Sequence, residues 1–549
     1  VQHAFVAAGE DLPEDYYVRA FVLVLDSVKD SYADLLTVQE LAWIDCIHAL
    51  PDTARRLYVR LLQRRRVTFR LSKLSYADID DVTQAASALV DAALASSDAP
   101  STLEDLAAAY TIPELKRLVP IECPAGTRRA ARIGALLKRN SGPDTRVLSE
   151  ADRWLSVSGH EAFAVCKLCF FGNLRQDMSE FVTTALGTQR YEAVPLRHKD
   201  RYFRDRPQLE AHLRYYESAA LFYSVPRHSQ DSLQQLVATL PESIAHDHHL
   251  DRRLDRLRIE MAKALERLGD LETANALYSL SSRPPTRERQ VRLLERMGLH
   301  EKSRLLLRAM AVAPVDESES DFACRRISPK SATVRPFRPR QTTLVLPQLD
   351  ARVERACVEY FSRDGACHWV ENRLFTSLLG LWIWDIVFLP VRGAFFNPFQ
   401  AAPTDFRERS FRMAREPELS TRFAELDEPD ARKRLLARMQ HTVESRRGIS
   451  NPLVSWGIAT SKLIEIAVDR IPLADLRAVF ERILQHPAEH SSGLPDLVYF
   501  PSKGGYELIE VKGPGDTLQA NQRRWFRYFD ECGLPARVLK VSWTQVAQK

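Results

Sequence analysis

Apolar positions recur at helical spacing through most of the first half of the chain, then give way to short alternating runs near its end. VRAFVLVLDSVKDSY, from Val18, and ELAWIDCIHAL, from Glu40, each place apolar side chains on one helical face. Pro51-Asp52 breaks the pattern and starts a third helix, ARRLYVRLLQRRR. There Arg56, Arg60 and Arg64 fall on one stripe at i, i+4, i+8, with Leu57 and Leu61 on the next, so one side can pack while the other stays cationic. Further helical patterns follow at 101–140, where Thr111 and Glu114 have the spacing of a capping box, and across 160–315. In that second region Gly269 and Gly298 each precede a helical run, and Pro285 separates the two copies. Residues 314–347, with VDESESD and SPKSATVRPFRPRQ, show little periodicity and read as a linker. The expected organisation is 1–75 helical, 76–160 a small helical module, 161–313 stacked helical hairpins, 314–347 linker and 348–549 an α/β domain that begins helical.

That final domain carries the chemistry. Pro495-Asp496 leads into Leu497–Phe500, a turn at Pro501–Gly505, and a second run holding Glu510 and Lys512 two residues apart. On a strand, alternate side chains share a face, so Glu510 and Lys512 should point together while Val511 enters the core. A hairpin brings Asp496 beside them. Two carboxylates and an ammonium on one small surface suit a divalent cation, and carboxylate oxygens are the hard ligands that Mg²⁺ and Mn²⁺ prefer. A helix from about Leu518 to Cys532 and a strand, ARVLKVSW, should complete the unit.

This segment resembles the PD-(D/E)xK nucleases. EVKGP, followed by Asp516, Leu518 and Gln522, is similar to the VRR-NUC domain and, within it, to the Fanconi-associated nucleases. A second anchor lies upstream in HWVENRLFTSLLGLWIWDIVF, where His368, Glu371, Leu374-Phe375 and Trp384–Phe388 fill family positions, and Val454-Ser455-Trp456 matches further on. Asn372 stands where the family usually has Gly after that Glu. The resemblance implies metal-dependent DNA cleavage at Asp496, Glu510, Lys512, Gln522 and Glu371. Asp496 would be the bridging ligand, Glu510 and the Val511 carbonyl would hold one ion, and Glu371, placed on a helix, would hold a second. Lys512 would orient water and offset phosphate charge, and Gln522 would support the site. It also implies cutting of branched DNA such as 5′ flaps near the junction, 5′–3′ trimming, and a role in interstrand crosslink repair. Residues 101–140 resemble a SAP module, and 264–310 resemble degenerate tetratricopeptide repeats.

Composition adds limits. The 549 residues allow several domains, and 45% hydrophobic with 27% charged residues is ordinary for globular protein. A net charge of +5 does not announce a nucleic-acid binder, but the arginines between Arg55 and Arg66 do suggest phosphate contact by Arg56, Arg60, Arg64 and Arg65, with Tyr17 nearby; Arg523 and Arg524 are candidates beside the cut. Among eight cysteines only Cys166 and Cys169 form a CxxC, in an apolar stretch that suits buried thiols. The histidines at 246, 248 and 249 read as a surface loop, and His486 and His490 as structural. The apolar run Leu378–Leu389 contains Asp385, which needs a partner if buried, and is too short to span a bilayer. With no signal-peptide layout, the expected location is intracellular: cytoplasm or nucleoid in a bacterium, nucleus in a eukaryote. Two rivals are a non-catalytic DNA-binding repair scaffold and a four-way-junction resolvase. The intact Asp/Glu/Lys set argues against the first, and the long N-terminal half against the second.

Overall fold

The computed structural model describes residues 13–119, 129–139, 142–176, 178, 181, 189–281, 283–327, 337–347 and 352–544. They form two compact units, one from the described residues of 5–186 with Phe203–Leu268, the other from those of 187–202 with 269–549. Among the described residues no helix is long and apolar enough to cross a membrane.

The unit containing the N-terminal helices packs Tyr16–Tyr32, Val38–Ala49 and Asp52–Leu62 around Phe21, Val24, Leu25, Ile44, Leu57 and Leu61, all buried. Thr37 and Glu40 close a capping box at the second helix. A small antiparallel sheet follows, with β1 (Thr68–Arg70), β2 (Ala95–Ser96) and β3 (Trp154–Val157) in the order β1-β3-β2. Arg55 donates to the carbonyls of Ile47, His48 and Leu50 and so closes the end of the preceding helix. The 101–140 region holds helices Leu103–Ala109, Ile112–Leu118 and Arg129–Arg139, and the Thr111 N–H donates to Glu114 as the capping spacing predicts; residues 120–128 lie outside the described set.

In the other unit, helices Leu271–Ser279, Thr286–Arg296, His300–Val312 and Glu317–Ile327 pack in sequence, each on the next. The stretch read as a linker therefore carries a helix, and it also carries β4 (Gln341–Pro347). The helix hides behind acidic VDESESD, whose Asp316 accepts the Glu319 N–H at the helix start. β4 was illegible because it borders a sheet whose other members lie far along the chain.

That sheet is mixed. Its strands are β4, β5 (Gly365–Trp369), β6 (Leu497–Pro501), β7 (Glu507–Lys512) and β8 (Ala536–Thr544), in the order β4-β8-β7-β6-β5. β5, β6 and β7 pair antiparallel, while β8 runs parallel to both β7 and β4. One face, through Val498, Phe500, Leu508 and Val538, joins a large core with Trp382, Phe480 and Trp525. The other, through Leu497, Tyr499, Ile509 and Val511, packs with Ala356 and Cys357 of the helix Val353–Phe361. The run Leu374–Phe388 lies in the first core. Gly380 admits Leu453 and Val454 against its backbone, since a Cβ there would sit 2.7 Å from each. Asp385 is exposed and pairs with Arg422 at 2.7 Å, so its partner is an arginine at the surface of that core.

Candidate active site

The hairpin register places Leu497 opposite Ile509, so Asp496 stands one step further on, opposite Glu510. Leu508, Glu510 and Lys512 share a face, and the alternation that sends Val511 into the opposite core sends Glu510 inward as well. Glu510 is fully buried, with 0% exposure. Its Oε1 receives both the Lys512 ammonium at 2.6 Å and the Gln522 amide at 2.6 Å. Its Oε2 is buried and has no hydrogen-bond partner among the described residues. Gln522 lies in the first turn of the helix Ala520–Cys532, where its Oε1 also accepts the Gln519 N–H at 2.9 Å; this fixes the amide with its NH₂ toward Glu510.

Asp496 is held from both ends. Its Oδ2 accepts the Val511 N–H at 2.9 Å, and its backbone carbonyl accepts the N–H groups of Val370 and Glu371 at 2.9 and 2.8 Å. These last bonds bring Glu371 to the site. Glu371 does not lie on a helix: it sits in the turn between β5 and the helix Arg373–Trp382, with φ +45°. The apolar periodicity that suggested a helix begins only after it, because both of these N–H groups are directed to Asp496 instead of a helical ladder. Asn372 has ordinary φ, −73°, and its side-chain oxygen accepts the Leu494 N–H at 2.9 Å, tying this turn to the loop before Asp496. On the other side of that loop, Gly493 has φ +88°, and a Cβ there would lie 2.9 Å from the Asn521 backbone.

The electrostatics follow from burial. Asp496 is pushed up to about 6, first by desolvation, against the opposing Val511 hydrogen bond and Lys512 charge, with Glu354 and Glu371 adding repulsion. Glu510 is pushed up to about 7, first by desolvation and then by the Asp496 charge. Glu354, in the first turn of Val353–Phe361, is a site neighbour that sequence reasoning missed. Its signal was the amphipathic run VERACVEYF just before the β5 segment. A buried carboxylate oxygen with nothing to accept from, facing a second carboxylate, fits a cation bound between them. The donor set is oxygen-rich and suits a hard divalent ion.

Other sequence candidates fall elsewhere. Arg523 is exposed on the helix of Gln522, whereas Arg524 is 14% exposed and faces Glu317, Asp321 and Glu489 at 3.3 to 3.8 Å. The arginine stripe is not free of acids. Arg60 pairs with Asp78 at 3.0 Å, and Arg56 pairs with Asp52 at 2.8 Å and approaches Asp78 at 3.6 Å. Tyr17 donates to Asp78 at 2.7 Å and accepts from Arg60 at 2.9 Å. The sequence hid this because Asp78 arrives from beyond the helix. That helix ends at Leu62, so Arg64 and Arg65 stand exposed in the following turn; the Arg60 and Arg64 guanidinium groups lie 5.0 and 5.6 Å from the Tyr76 ring centre. Cys166 and Cys169 are buried, as their apolar setting suggests.

The VRR-NUC domain model matches residues 430–543, and the model described as FAN1, HTH domain matches 15–96. A Pseudomonas aeruginosa protein named Fanconi-associated nuclease 1 homolog is 35% identical, with 97% of each chain covered. The Homo sapiens Fanconi-associated nuclease 1 is 23% identical over 97% of this chain and 63% of its own length. A crystal structure of paFAN1 bound to 2nt 5′flap DNA with gap superposes with a TM-score of 0.84 at 32% identity, covering 97% of this chain and 100% of that one.

The raised carboxyls generate a pH prediction. In the ion-free protein Asp496 and Glu510 hold protons that an unfolded carboxyl, near ~4, has already released. Their contribution to stability is therefore present at low pH and is lost as pH rises through about 4 to 7. A divalent ion competes with those protons. Affinity for Mn²⁺, measured by calorimetry, should rise about tenfold or more between roughly pH 5.5 and 7.5, with proton release, and then level off. A flat profile would show both carboxyls already ionised.

Proposed function

Because the chain belongs to the Fanconi-associated nuclease 1 family and is a metal-dependent nuclease, we propose that it cuts branched DNA of the 5′-flap kind at the cluster built by Asp496, Glu510, Lys512, Gln522 and Glu371. The observation that carries this reading is the buried, unpartnered Oε2 of Glu510 across from Asp496.

Asp496, Glu510 and the Val511 carbonyl are suited to hold one ion, with Glu371 contributing to a second; Mg²⁺ or Mn²⁺ fits the oxygen donors. Bound there, the ions supply Lewis acidity to the phosphate and a nucleophilic water at neutral pH. The chain's own residues do the positioning. Lys512 and Gln522 occupy one Glu510 oxygen and thereby aim the other, while the Val511 N–H fixes the Asp496 carboxylate plane. The Lys512 ammonium, 13% exposed, also offsets charge gathering on a phosphate at the strand surface. Glu371, whose side chain is 39% exposed, reaches the site from its own backbone anchor. The N-terminal helices, with exposed Arg64 and Arg65, would grip duplex phosphates, and the SAP-like and repeat-like regions would extend that grip. Crosslink repair and 5′–3′ trimming are the biological reading that goes with such a substrate.

Cleavage of a labelled 5′-flap duplex should require Mg²⁺ or Mn²⁺ and stop with chelator. Asp496→Ala should abolish cutting by at least about a thousandfold while flap binding persists, since one ligand of the charge-stabilising site is gone. Undiminished cutting by that variant would sink the site assignment, and binding without cutting by the unaltered chain would favour the scaffold reading.

Glu371→Gln should keep the backbone turn and lower apparent metal affinity by about tenfold to a hundredfold, the range for groups that hold or orient a metal. Raising Mn²⁺ should restore part of the rate. Unchanged metal dependence would remove Glu371 from the ligand set.

Arg64→Ala with Arg65→Ala should weaken DNA affinity and reduce the slope of log affinity against log salt by about two, one per lost phosphate contact. An unaltered slope would return these arginines to ordinary surface residues.

A further inference from the structure

Away from the carboxylates of the hairpin, a second set of ligand atoms converges. Glu317 opens the helix Glu317–Ile327, and Glu489 and His490 lie in the short turn of helix Pro487–His490. One ligand atom from each of the three falls within 4.8 Å of the others. His490 is 6% exposed. Its Nδ1 lies 2.5 Å from the Arg482 carbonyl, which can only accept, so Nδ1 carries the proton and the Nε2 lone pair faces outward from the ring. Two carboxylate oxygens stand near Nε2, Glu317 Oε1 at 3.8 Å and Glu489 Oε2 at 3.9 Å. Among the described residues nothing donates to Nε2, and Glu489 Oε1, likewise buried, makes no hydrogen bond and has the Arg524 guanidinium at 3.6 Å.

Three electron-rich atoms this close repel unless a proton or a cation stands between them. The arginines nearby do not remove this conflict. Arg482 donates to both Glu317 oxygens at 2.8 and 3.0 Å, and Arg524 lies 3.3 Å from Glu317, yet neither serves His490 Nε2. Each Glu317 oxygen keeps a second lone pair. An imidazole whose Nδ1–H is held by a backbone carbonyl, with Nε2 presented to carboxylates, is the arrangement that orients a metal-bound histidine.

We propose that Glu317, Glu489 and His490 form a second, structural site for a divalent transition-metal ion of the Zn²⁺ class, distinct from the catalytic cluster. The two separations from His490, 3.8 and 3.9 Å, lie a few tenths of an ångström above the roughly 3.4 Å expected between tetrahedral Zn²⁺ ligands, and the two carboxylates lie within 4.8 Å of each other. An imidazole donor selects such an ion over Mg²⁺. Glu317, 35% exposed, leaves a path from solvent, by which a water would enter as the fourth ligand. His486, one turn earlier, also has a buried, unpartnered Nδ1, with ring centres 6.2 Å apart. The ion would brace the start of Glu317–Ile327 against the segment that runs into the Asp496 loop. The His490 ring also meets Trp525 of the Gln522 helix, with centres 6.2 Å apart.

The test uses the full chain carrying Asp496→Asn and Glu510→Gln, so that the catalytic ligands do not bind. After incubation with Zn²⁺ and passage over a mild chelating resin, metal analysis should find about one Zn²⁺ per chain, resistant to a large excess of Mg²⁺, with a zinc-dependent rise in melting temperature. Adding His490→Gln, or separately Glu489→Gln, should abolish both. Absence of bound zinc in the parent overturns the proposal without reference to any further variant. So does retention of zinc in folded His490→Gln and Glu489→Gln. If either variant fails to fold, X-ray absorption on the zinc-loaded parent decides: one histidine with carboxylate oxygens supports the site, and any other ligand set overturns it.

Discussion

The carboxylate cluster of the C-terminal sheet depends on burying one of its members. Glu510 has no exposed surface, and the cost of desolvating a charge falls on it fully. The surroundings answer on one oxygen only, with an ammonium and an amide both at 2.6 Å, and leave the other without a donor. A protein optimised for stability alone would place an apolar residue there, since the neighbours Leu508 and Val538 already make a dry core. The neighbouring Asp496 worsens the repulsion and is pinned there by the Val511 N–H. Such strain is tolerable because proton or cation binding relieves it, which is what makes the pair responsive to both.

Much of this was legible in the sequence because it is local. The two-residue spacing of Glu510 and Lys512, the turn between two β-rich runs and the Gln522 helix are all fixed by short-range periodicity. Local reasoning failed where a segment's structure is set by a distant partner. Glu371 adopts a left-handed backbone because its N–H and that of Val370 both bond the Asp496 carbonyl, and no local pattern announces that. β4 forms against β8, and without β8 the run Gln341–Pro347 has nothing to pair with. Asp78 neutralises Arg60 from outside the helix whose charge the sequence displayed as unopposed. In each case the missing information was which remote group satisfies a polar atom.

The clamp around the Asp496 loop shows how remote pieces are held together by a few short contacts. Asn372 accepts from Leu494 on one side, Asn521 presses on Gly493, and Trp525 donates to the Ser492 carbonyl at 3.0 Å on the other. Three segments that carry Glu371, Asp496 and Gln522 thus share one short loop as their common fixture. The side chain of Asn372 adds one of those fastenings.

The order of the sheet has a consequence for the timing of synthesis. Val538 of β8 pairs opposite Glu510, and β8 follows both hairpin strands in the chain. Until β8 docks, β7 lacks a neighbour on that side and the wall that dries Glu510 is missing. A nascent chain paused after the hairpin therefore presents Glu510 as an ordinary solvated carboxylate, while its N-terminal helices can already be complete. The carboxylate pair is among the last parts of the molecule to mature, so under the proposed function a half-made copy would bind DNA before it could cut it.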